Sequence, residues 1–179
     1  WKEVLLRAPW LVGDEDTSMF VTNWQRPLLD QLIDGIEPPV DELHLTAPFF
    51  DADLAAVQSL IDRTAPRKIV LMLGQHASVE GAALLKVLRR SGIPFQIVGL
   101  DPNVFVHGKL VGLTFGTNGR VLSGSANLSS VALMRVASAD PWANVEAGVI
   151  ADVDADDVRR AFVPPPPPDG LPVVEQPLD

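Results

Sequence analysis

Side chains suited to phosphate chemistry are concentrated between residues 104 and 129. His107 and Lys109 stand two apart in one apolar run, and Ser125 and Asn127 follow a second apolar run. Since side chains two apart in a strand leave the same face of a sheet, the imidazole and the ammonium are predicted to project together. A histidine, a lysine, a hydroxyl and an amide at one sheet edge supply several hydrogen-bond donors and one nucleophile, a set suited to a phosphate.

The two apolar runs are predicted to be strands joined by a tight turn. The turn is placed at T-N-G-R, between V-F-V-H-G-K-L-V-G-L-T-F and V-L-S-G-S-A-N. Gly124 and Ser125 end the second strand, and small residues let a backbone approach a neighbouring group closely. We therefore expect Gly124 and Ser125 to line a substrate. Alone, an H-x-K would indicate only a strand with a polar face, and a G-S-x-N only a capped turn.

The order of these motifs resembles that of the HKD phosphodiesterases of the phospholipase D superfamily. Their pattern is H-x-K, a short strand, a turn, G-S-x-N opening a helix, and often a later N-x-E. The matching residues here are His107, Lys109, Gly124, Ser125, Asn127 and Asn144-Val145-Glu146. The family's usual aspartate falls on Thr114, a departure also found in some nuclease-like branches. The resemblance extends from about Val40 to Phe162 and implies a phosphodiesterase that is nuclease-like rather than a lipase.

The resemblance also implies a role for each matching side chain. His107 would attack phosphorus and form a phosphohistidine, while Glu146 would hold the other imidazole nitrogen. Lys109 and Asn127 would stabilise charge on the non-bridging oxygens, and Ser125 would donate a further hydrogen bond. No metal or cofactor is expected, because the lysine and the amide stabilise the charge and no carboxylate cluster suits a cation.

A second histidine must protonate the leaving oxygen, but the sequence contains a single H-x-K. Enzymes of this family place two H-x-K motifs around one cleft, from two identical subunits or from two halves of one chain. A homodimer with twofold symmetry would bring two copies of His107 together. The alternative is that this chain, which starts at Trp1 rather than Met, is one half of a longer protein.

The composition is that of a folded protein with one domain. The 179 residues are 47% hydrophobic and 21% charged, which allows a substantial core. No stretch approaches the run of about twenty apolar residues that a membrane helix needs. Cysteine is absent, which is compatible with the reducing cytoplasm, the expected location. The formal charge of −9 disfavours tight binding of duplex nucleic acid by this domain alone.

Alternating strand and helix patterns predict an α/β fold with a mixed, mostly parallel sheet and helices on both faces. The predicted strands are Lys2–Trp10, Leu43–Phe50, Lys68–Leu73, Phe95–Leu100, the central pair and Val145–Ala151, and the predicted helices are Asn23–Ile36, Asp51 or Asp53 to Arg63, Val79–Arg90, Leu128–Val136 and Asp154–Phe162. Asn23 is predicted to cap the first helix, and Asp51 or Asp53 the second. Residues 1–162 are assigned to the domain, and 163–179, with five consecutive prolines, to an extended tail or linker.

Other polar and aromatic residues have simpler explanations. His44 alternates with apolar neighbours and is expected to face a helix or solvent. His76 is expected either in a solvated loop or at the mouth of the cleft. Residues 14–16, Asp-Glu-Asp, are interpreted as a solvated turn. Trp142 differs from the other tryptophans because it lies shortly before Glu146, where it could contact a base or a lipid group.

A second hypothesis comes from a different functional class. The domain would be catalytically degenerate and would serve in nucleic-acid binding or dimerisation within a larger restriction, helicase or defence protein. The acidic charge and Thr114 favour this hypothesis. The intact His107, Lys109, Asn127 and Glu146 favour the enzyme, since a binding module would not need all four.

Overall fold

Seven strands form one sheet in the computed structural model, which describes residues 18–74, 76–100 and 107–162. The strands are β1 (Ser18–Thr22), β2 (Glu42–Thr46), β3 (Lys68–Leu73), β4 (Phe95–Gly99), β5 (Leu110–Phe115), β6 (Asn118–Gly124) and β7 (Ala147–Asp154). The helices are α1 (Leu28–Leu32), α2 (Ala55–Thr64), α3 (Gly81–Ser91), α4 (Ser130–Leu133) and α5 (Ala155–Ala161). The order across the sheet is β1-β7-β6-β5-β2-β3-β4.

The predicted α/β class and mixed sheet are confirmed, but the sheet is mostly antiparallel rather than mostly parallel. Only β2, β3 and β4 run parallel to one another, connected through α2 and α3. The pairs β1–β7, β7–β6, β6–β5 and β5–β2 are all antiparallel. Parallel neighbours need a long crossover connection, usually a helix. By contrast, β5 and β6 are joined by only two residues, and the helix between β6 and β7, α4, is only four residues long.

Helices cover both faces of the sheet, as predicted. The main core lies on one face, where apolar side chains of α1, α2 and α3 pack against alternate strand residues. Leu43 and Leu45 of β2 contribute to this core. His44 and Gly112 pair across β2 and β5 on the opposite face, and α5 covers them. The site described below is therefore carried by a sheet that is packed on both sides.

The central pair of strands forms the predicted hairpin with a different turn. The loop is Gly116-Thr117, because Phe115 already pairs with Asn118. Gly116 has a φ of 61°, a left-handed conformation that glycine adopts without steric cost. Most of T-N-G-R consequently belongs to β6 instead of the turn.

The helix predicted to start at Asn23 is shorter and is not capped by that residue. The helix α1 follows Pro27, and no side chain caps it. Ile33 and Ile36 still pack against the core as their spacing predicted, although they lie beyond the last helical residue. An apolar stripe indicates which side chains are buried more reliably than it indicates how far a helix extends.

The prediction of an end for α3 is confirmed, whereas the N-cap position of α2 is Leu54 and not Asp51 or Asp53. Asp53 accepts a hydrogen bond from Ala55 N at 3.2 Å and Asp51 accepts one from Ala56 N at 2.9 Å, so both carboxylates bind the start of α2. The helix α3 ends at Ser91, followed by Gly92 in the left-handed conformation. By contrast, the edge strand β1 was not predicted, since only Val21 of its five residues is buried.

Four predicted features lie outside the described residues: the strand Lys2–Trp10, the acidic turn at 14–16, the start of the first central strand at 104–106 and the proline-rich tail from 163 to 179. Among the helices of the described ranges, none combines the length and the hydrophobicity that crossing a bilayer requires.

Candidate active site

The H-x-K motif lies immediately before β5 and not inside a strand as predicted. Residues 107–109 have no regular secondary structure, and β5 begins at Leu110. The carbonyl oxygen of Lys109 nevertheless accepts a hydrogen bond from Gly124 N at 3.4 Å. This bond extends the β5–β6 ladder by one step, and it places the H-x-K segment beside the start of G-S-A-N.

The His107 side chain is exposed and lies against an aromatic ring. The ring centroids of His107 and Phe49 are 6.5 Å apart, at an interplanar angle of 83°. The Lys109 ammonium donates to the carbonyl oxygen of His107 at 3.1 Å. Because an ammonium has three N–H donors, this bond occupies one of them. The Phe49 ring therefore lies beside the imidazole, and the Lys109 ammonium is bonded to the backbone of the same histidine.

Gly124 permits a close approach between β6 and β7. A Cβ atom at this position would lie 2.5 Å from the Gly148 Cα and would also collide with the Ala147 carbonyl. Ser125 N donates to the same carbonyl at 2.9 Å. Packing between strands therefore explains the glycine by itself, and its contact with a substrate stays a prediction.

Ser125 and Glu146 are in direct contact. Glu146 is only 6% exposed, and its carboxylate accepts a hydrogen bond from Ser125 Oγ. Ser125 Oγ in turn accepts a bond from Ala147 N at 3.0 Å. The structure therefore joins G-S-A-N to N-V-E through side chains, while the predicted support of the His107 imidazole by Glu146 stays a prediction.

Asp51 fixes the turn that follows Asn127. Its two carboxylate oxygens accept bonds from Ser130 N at 2.9 and 2.8 Å, and Ser130 Oγ adds a third at 3.1 Å. The same carboxylate binds the start of α2, so Asp51 connects the first turns of α2 and α4. Asn127 Oδ1 is buried and has no hydrogen-bond partner among the described residues. A buried unsatisfied acceptor is uncommon and marks a place where a partner can bind.

Asn23 is the residue whose role the sequence pattern misassigned. Its Oδ1 accepts from Glu146 N at 2.8 Å and its Nδ2 donates to Asn144 O at 2.7 Å. An asparagine ahead of an apolar stripe suits a helix cap, and no local signal in the sequence indicates a bond to N-V-E instead. The signal that would find it is a co-varying pair of positions in related sequences.

The arginines near the motifs are engaged within the protein. Arg120 pairs with Asp152 at 2.5 Å and donates to the carbonyl of Asp34 at 2.6 Å. Arg135 pairs with Asp140 at 2.9 Å. Both charges are therefore largely compensated, and Lys109 is the cation closest to His107 in sequence. In the part of the chain that the structure describes, no cluster of three His, Cys, Asp or Glu side chains is arranged to hold a metal ion.

His44 faces a helix, which was one of the two predicted alternatives. It is 3% exposed, its ring lies 5.0 Å from that of Phe162, and its Nε2 is 3.2 Å from Glu42 Oε2. Burial lowers the pKa of His44, and the bond to Glu42 opposes this only in part. The residue belongs to the packing of α5 and not to the candidate site.

His76 and Trp142 are both exposed near the motifs. The loop of His76 runs beside the Phe49 segment, since Phe49 and Ser78 form a parallel bridge. Trp142 is 80% exposed, in the loop that leads to Glu146. Both positions are compatible with contact to a substrate larger than a single phosphate.

No protein-family model and no curated protein matches the chain. Solved structures similar to it include a polyphosphate kinase from Porphyromonas gingivalis, with 19% identity, a TM-score of 0.48, and coverage of 84% of this chain and 26% of the kinase. Nuc, a phospholipase D family member from Salmonella typhimurium, has 17% identity and a TM-score of 0.49 over 82% of this chain and 88% of Nuc. A mutant of yeast tyrosyl-DNA phosphodiesterase 1 has 13% identity and a TM-score of 0.44, over 74% of this chain and 31% of that protein.

Each of these three structures is less than 20% identical to this chain, and the matches cover less than a third of the kinase and of the yeast phosphodiesterase. At this level of identity and overlap, the chemistry has to be argued from the residues of this chain itself.

Proposed function

We propose that this domain is a metal-independent phosphodiesterase of the HKD type that acts on nucleic acid. The observation that supports this most directly is the meeting of three separate motifs at one end of β5, β6 and β7. Lys109 O binds Gly124 N, and Ser125 Oγ binds the buried Glu146 carboxylate. The proposed nucleophile, cation and buried carboxylate thus lie in segments that adjoin the ends of neighbouring strands, and Asn127 follows Ser125 by two positions.

The first half of the reaction follows from the chemistry of His107 and Lys109. A neutral imidazole nitrogen of His107 attacks phosphorus and forms an N–P bond, while the bond from phosphorus to the leaving oxygen breaks. Lys109 and Asn127 donate to the non-bridging oxygens, on which charge accumulates. The leaving oxygen takes a proton from a second, protonated histidine.

The second half of the reaction restores both histidines. Water attacks the phosphohistidine, its proton passes to the second histidine, and the N–P bond breaks. We propose that the second histidine is His107 of another copy of this chain, in a homodimer, because the chain has one H-x-K. A second H-x-K half within a longer chain would serve the same chemistry.

The preference for nucleic acid is supported by the surroundings of His107. The Phe49 ring is 50% exposed and contacts the imidazole, so a planar group attached to the bound phosphate could stack on it. Stacking of bases on aromatic side chains is a common, sequence-tolerant part of single-strand recognition. The net charge of −9 agrees with short or single-stranded substrates better than with a long duplex.

The test is hydrolysis of a chromogenic phosphodiester in EDTA by the native protein, His107→Ala and Lys86→Ala. Lys86 is exposed on α3 and provides a control outside the motifs. We expect the native protein and Lys86→Ala to be equally active, and His107→Ala to lose at least about 10³-fold in kcat, as for other nucleophiles. Activity that EDTA abolishes, or that His107→Ala retains, would contradict the proposed mechanism.

The second candidate function, a degenerate binding module, is favoured by the acidic charge and by Thr114. Thr114 is fully buried and pairs with Glu42 near the far end of β5, roughly 17 Å from Lys109 at about 3.4 Å per residue. The replacement of the family's aspartate therefore lies outside the site and does not by itself remove catalysis. Binding of a single-stranded oligonucleotide without hydrolysis, in native protein and His107→Ala alike, would favour this alternative.

A further inference from the structure

A buried asparagine far from the motifs in sequence is bonded to both ends of the N-V-E segment. Asn23 is fully buried, its Oδ1 accepts from Glu146 N at 2.8 Å, and its Nδ2 donates to Asn144 O at 2.7 Å. Its own backbone N–H donates to Glu146 O at 3.2 Å. The backbone of Glu146 is therefore held at its N–H and at its carbonyl by the same residue.

The orientation of the Asn23 amide is fixed by these partners. One partner is a donor, Glu146 N, and the other is an acceptor, Asn144 O. A flipped amide would set two donors against each other at Glu146 and two acceptors against each other at Asn144. The site thus needs one acceptor and one donor at a fixed spacing, and asparagine supplies both without taking up a proton, whereas an ionised aspartate of the same size supplies acceptors only.

The segment that Asn23 holds points one side chain outward and one inward. Val145 is 72% exposed, whereas Glu146 is 6% exposed and bonds to Ser125 Oγ. A shift of the backbone at Glu146 would move its carboxylate away from Ser125 and turn a buried charge away from its donor, which is costly.

We propose that Asn23 is a positioning residue that acts through Glu146: it fixes the N-V-E backbone so that the Glu146 carboxylate meets Ser125 and the histidine site beyond it. This inference rests on the proposed phosphodiesterase function. Residues that orient catalytic groups through hydrogen bonds, without touching the substrate, can change activity by about 10–100-fold, as outer-shell partners do at metal sites.

A double-mutant cycle separates this role from a purely structural one. The variants are Asn23→Asp, Glu146→Gln and the double variant, and kcat and KM are measured for a chromogenic phosphodiester. Asn23→Asp keeps the size of the side chain but sets a carboxylate oxygen against Asn144 O. We expect Asn23→Asp to lower kcat by about 10-fold or more, with KM changed less than about threefold, and to cost less than about threefold once Glu146→Gln is present.

The matched control is Thr64→Ala. Thr64 is 2% exposed and its Oγ1 donates to Leu60 O at 2.7 Å within α2, so its loss removes a buried hydrogen bond that involves no motif residue. We expect Thr64→Ala to lower the melting temperature but to keep kcat within about twofold, because the bond is remote from the motifs. The proposal would be overturned if Asn23→Asp lowered kcat equally with and without Glu146→Gln. It would also be overturned if Thr64→Ala lowered kcat as much as Asn23→Asp does. If Asn23→Asp does not fold, Asn23→Ser, which keeps an acceptor for Glu146 N, carries the same cycle.

Absence of hydrolysis in the native protein would contradict the proposed function. The positioning role of Asn23 would then be tested by a second measurement that does not need activity. The cycle is then followed in the backbone amide resonance of Ser125 by NMR. We expect Asn23→Asp and Glu146→Gln each to shift that resonance, and the double variant to resemble Glu146→Gln alone. Additive shifts, or no shift in Asn23→Asp, would show that Asn23 does not act through Glu146.

Discussion

The Phe49 ring is held next to His107 by backbone contacts on both sides of its segment. Phe49 forms a parallel bridge with Ser78, and its carbonyl accepts from Leu128 N at 3.1 Å. The ring is therefore an exposed aromatic surface on a fixed backbone. Under the proposed function, we expect such a surface to discriminate between substrates by the group attached to the phosphate.

At the scale of this residue, we expect Phe49→Leu to affect nucleotide substrates selectively. One stacked base contributes about 1–3 kcal/mol, so kcat/KM for a thymidine p-nitrophenyl phosphodiester should fall about 10-fold. Methyl p-nitrophenyl phosphate, which has the same leaving group and no base, should react at an unchanged rate. Phe20→Leu, an exposed phenylalanine on β1 at the edge of the sheet, is the control. Equal losses on both substrates would show that Phe49 acts on the fold of the site and not on the base.

At the scale of elements, α5 packs directly on the sheet at positions where the strands have glycine. A Cβ atom at Gly112 would lie 2.6 Å from Val158 Cγ1 and 3.3 Å from Phe162 Cε2. The helix therefore approaches β5 more closely than a strand with side chains would allow. This close packing buries His44 beneath Phe162.

We expect Gly112→Ala to destabilise the protein by about 1–3 kcal/mol, the usual range for overpacking a well-filled interior. The Gly99→Ala variant is the control, because a Cβ atom there meets nothing within 4 Å. Urea unfolding of both variants measures the difference in the free energy of unfolding. Equal stability of the two variants would mean that α5 moves away from the sheet without cost.

The same packing predicts a dependence of stability on pH. Burial lowers the pKa of His44 below 6.5, and nearby Lys68 and Arg159 add to this, while Glu42 opposes it. Since the folded state favours the neutral imidazole, its contribution is complete above pH 6.5 and is lost as the pH falls below that value. For Glu42, burial raises the pKa, but bonds from Arg159 and His44 outweigh it and hold the pKa below 4.5, so its contribution is lost only at lower pH.

The measurement is the free energy of unfolding in urea between pH 7.5 and pH 5.5. We expect the native protein to lose stability over this range, with a slope of at most about 1.4 kcal/mol per pH unit for one proton. His44→Gln removes the titrating group and should flatten the curve, while His107 and His76 are present in both proteins. Identical slopes for native protein and His44→Gln would contradict this assignment.

At the scale of the whole molecule, the proposed homodimer brings two copies of His107 into one cleft. We expect sedimentation equilibrium to give a mass of twice 19.3 kDa. When native chains are refolded together with His107→Ala chains, activity should fall as the square of the native fraction, because a mixed dimer lacks one of its two histidines. A linear fall would indicate that each copy acts alone. A monomer without activity would favour a missing second half.

Sequence by itself determined most of the elements and the candidate residues. Lys68–Leu73 forms β3 with the predicted bounds, and α3 ends at Ser91-Gly92 as its sequence indicates. H-x-K, G-S-x-N and N-x-E were also recognised in the sequence, through its resemblance to the HKD pattern. These features are local: a run of apolar residues, a glycine after a helix or a short motif is encoded within a few consecutive positions.

Only the tertiary structure decided the direction of most strands and the partners of the buried polar groups. Asn23 and Glu146 are 123 positions apart, and Asp51 and Ser130 are 79 positions apart. A local sequence pattern indicates that a buried polar residue must have a hydrogen-bond partner, but it does not identify which of several residues is that partner. Which partner is present depends on how the sheet orders its strands, and that order is set by the packing of the whole core.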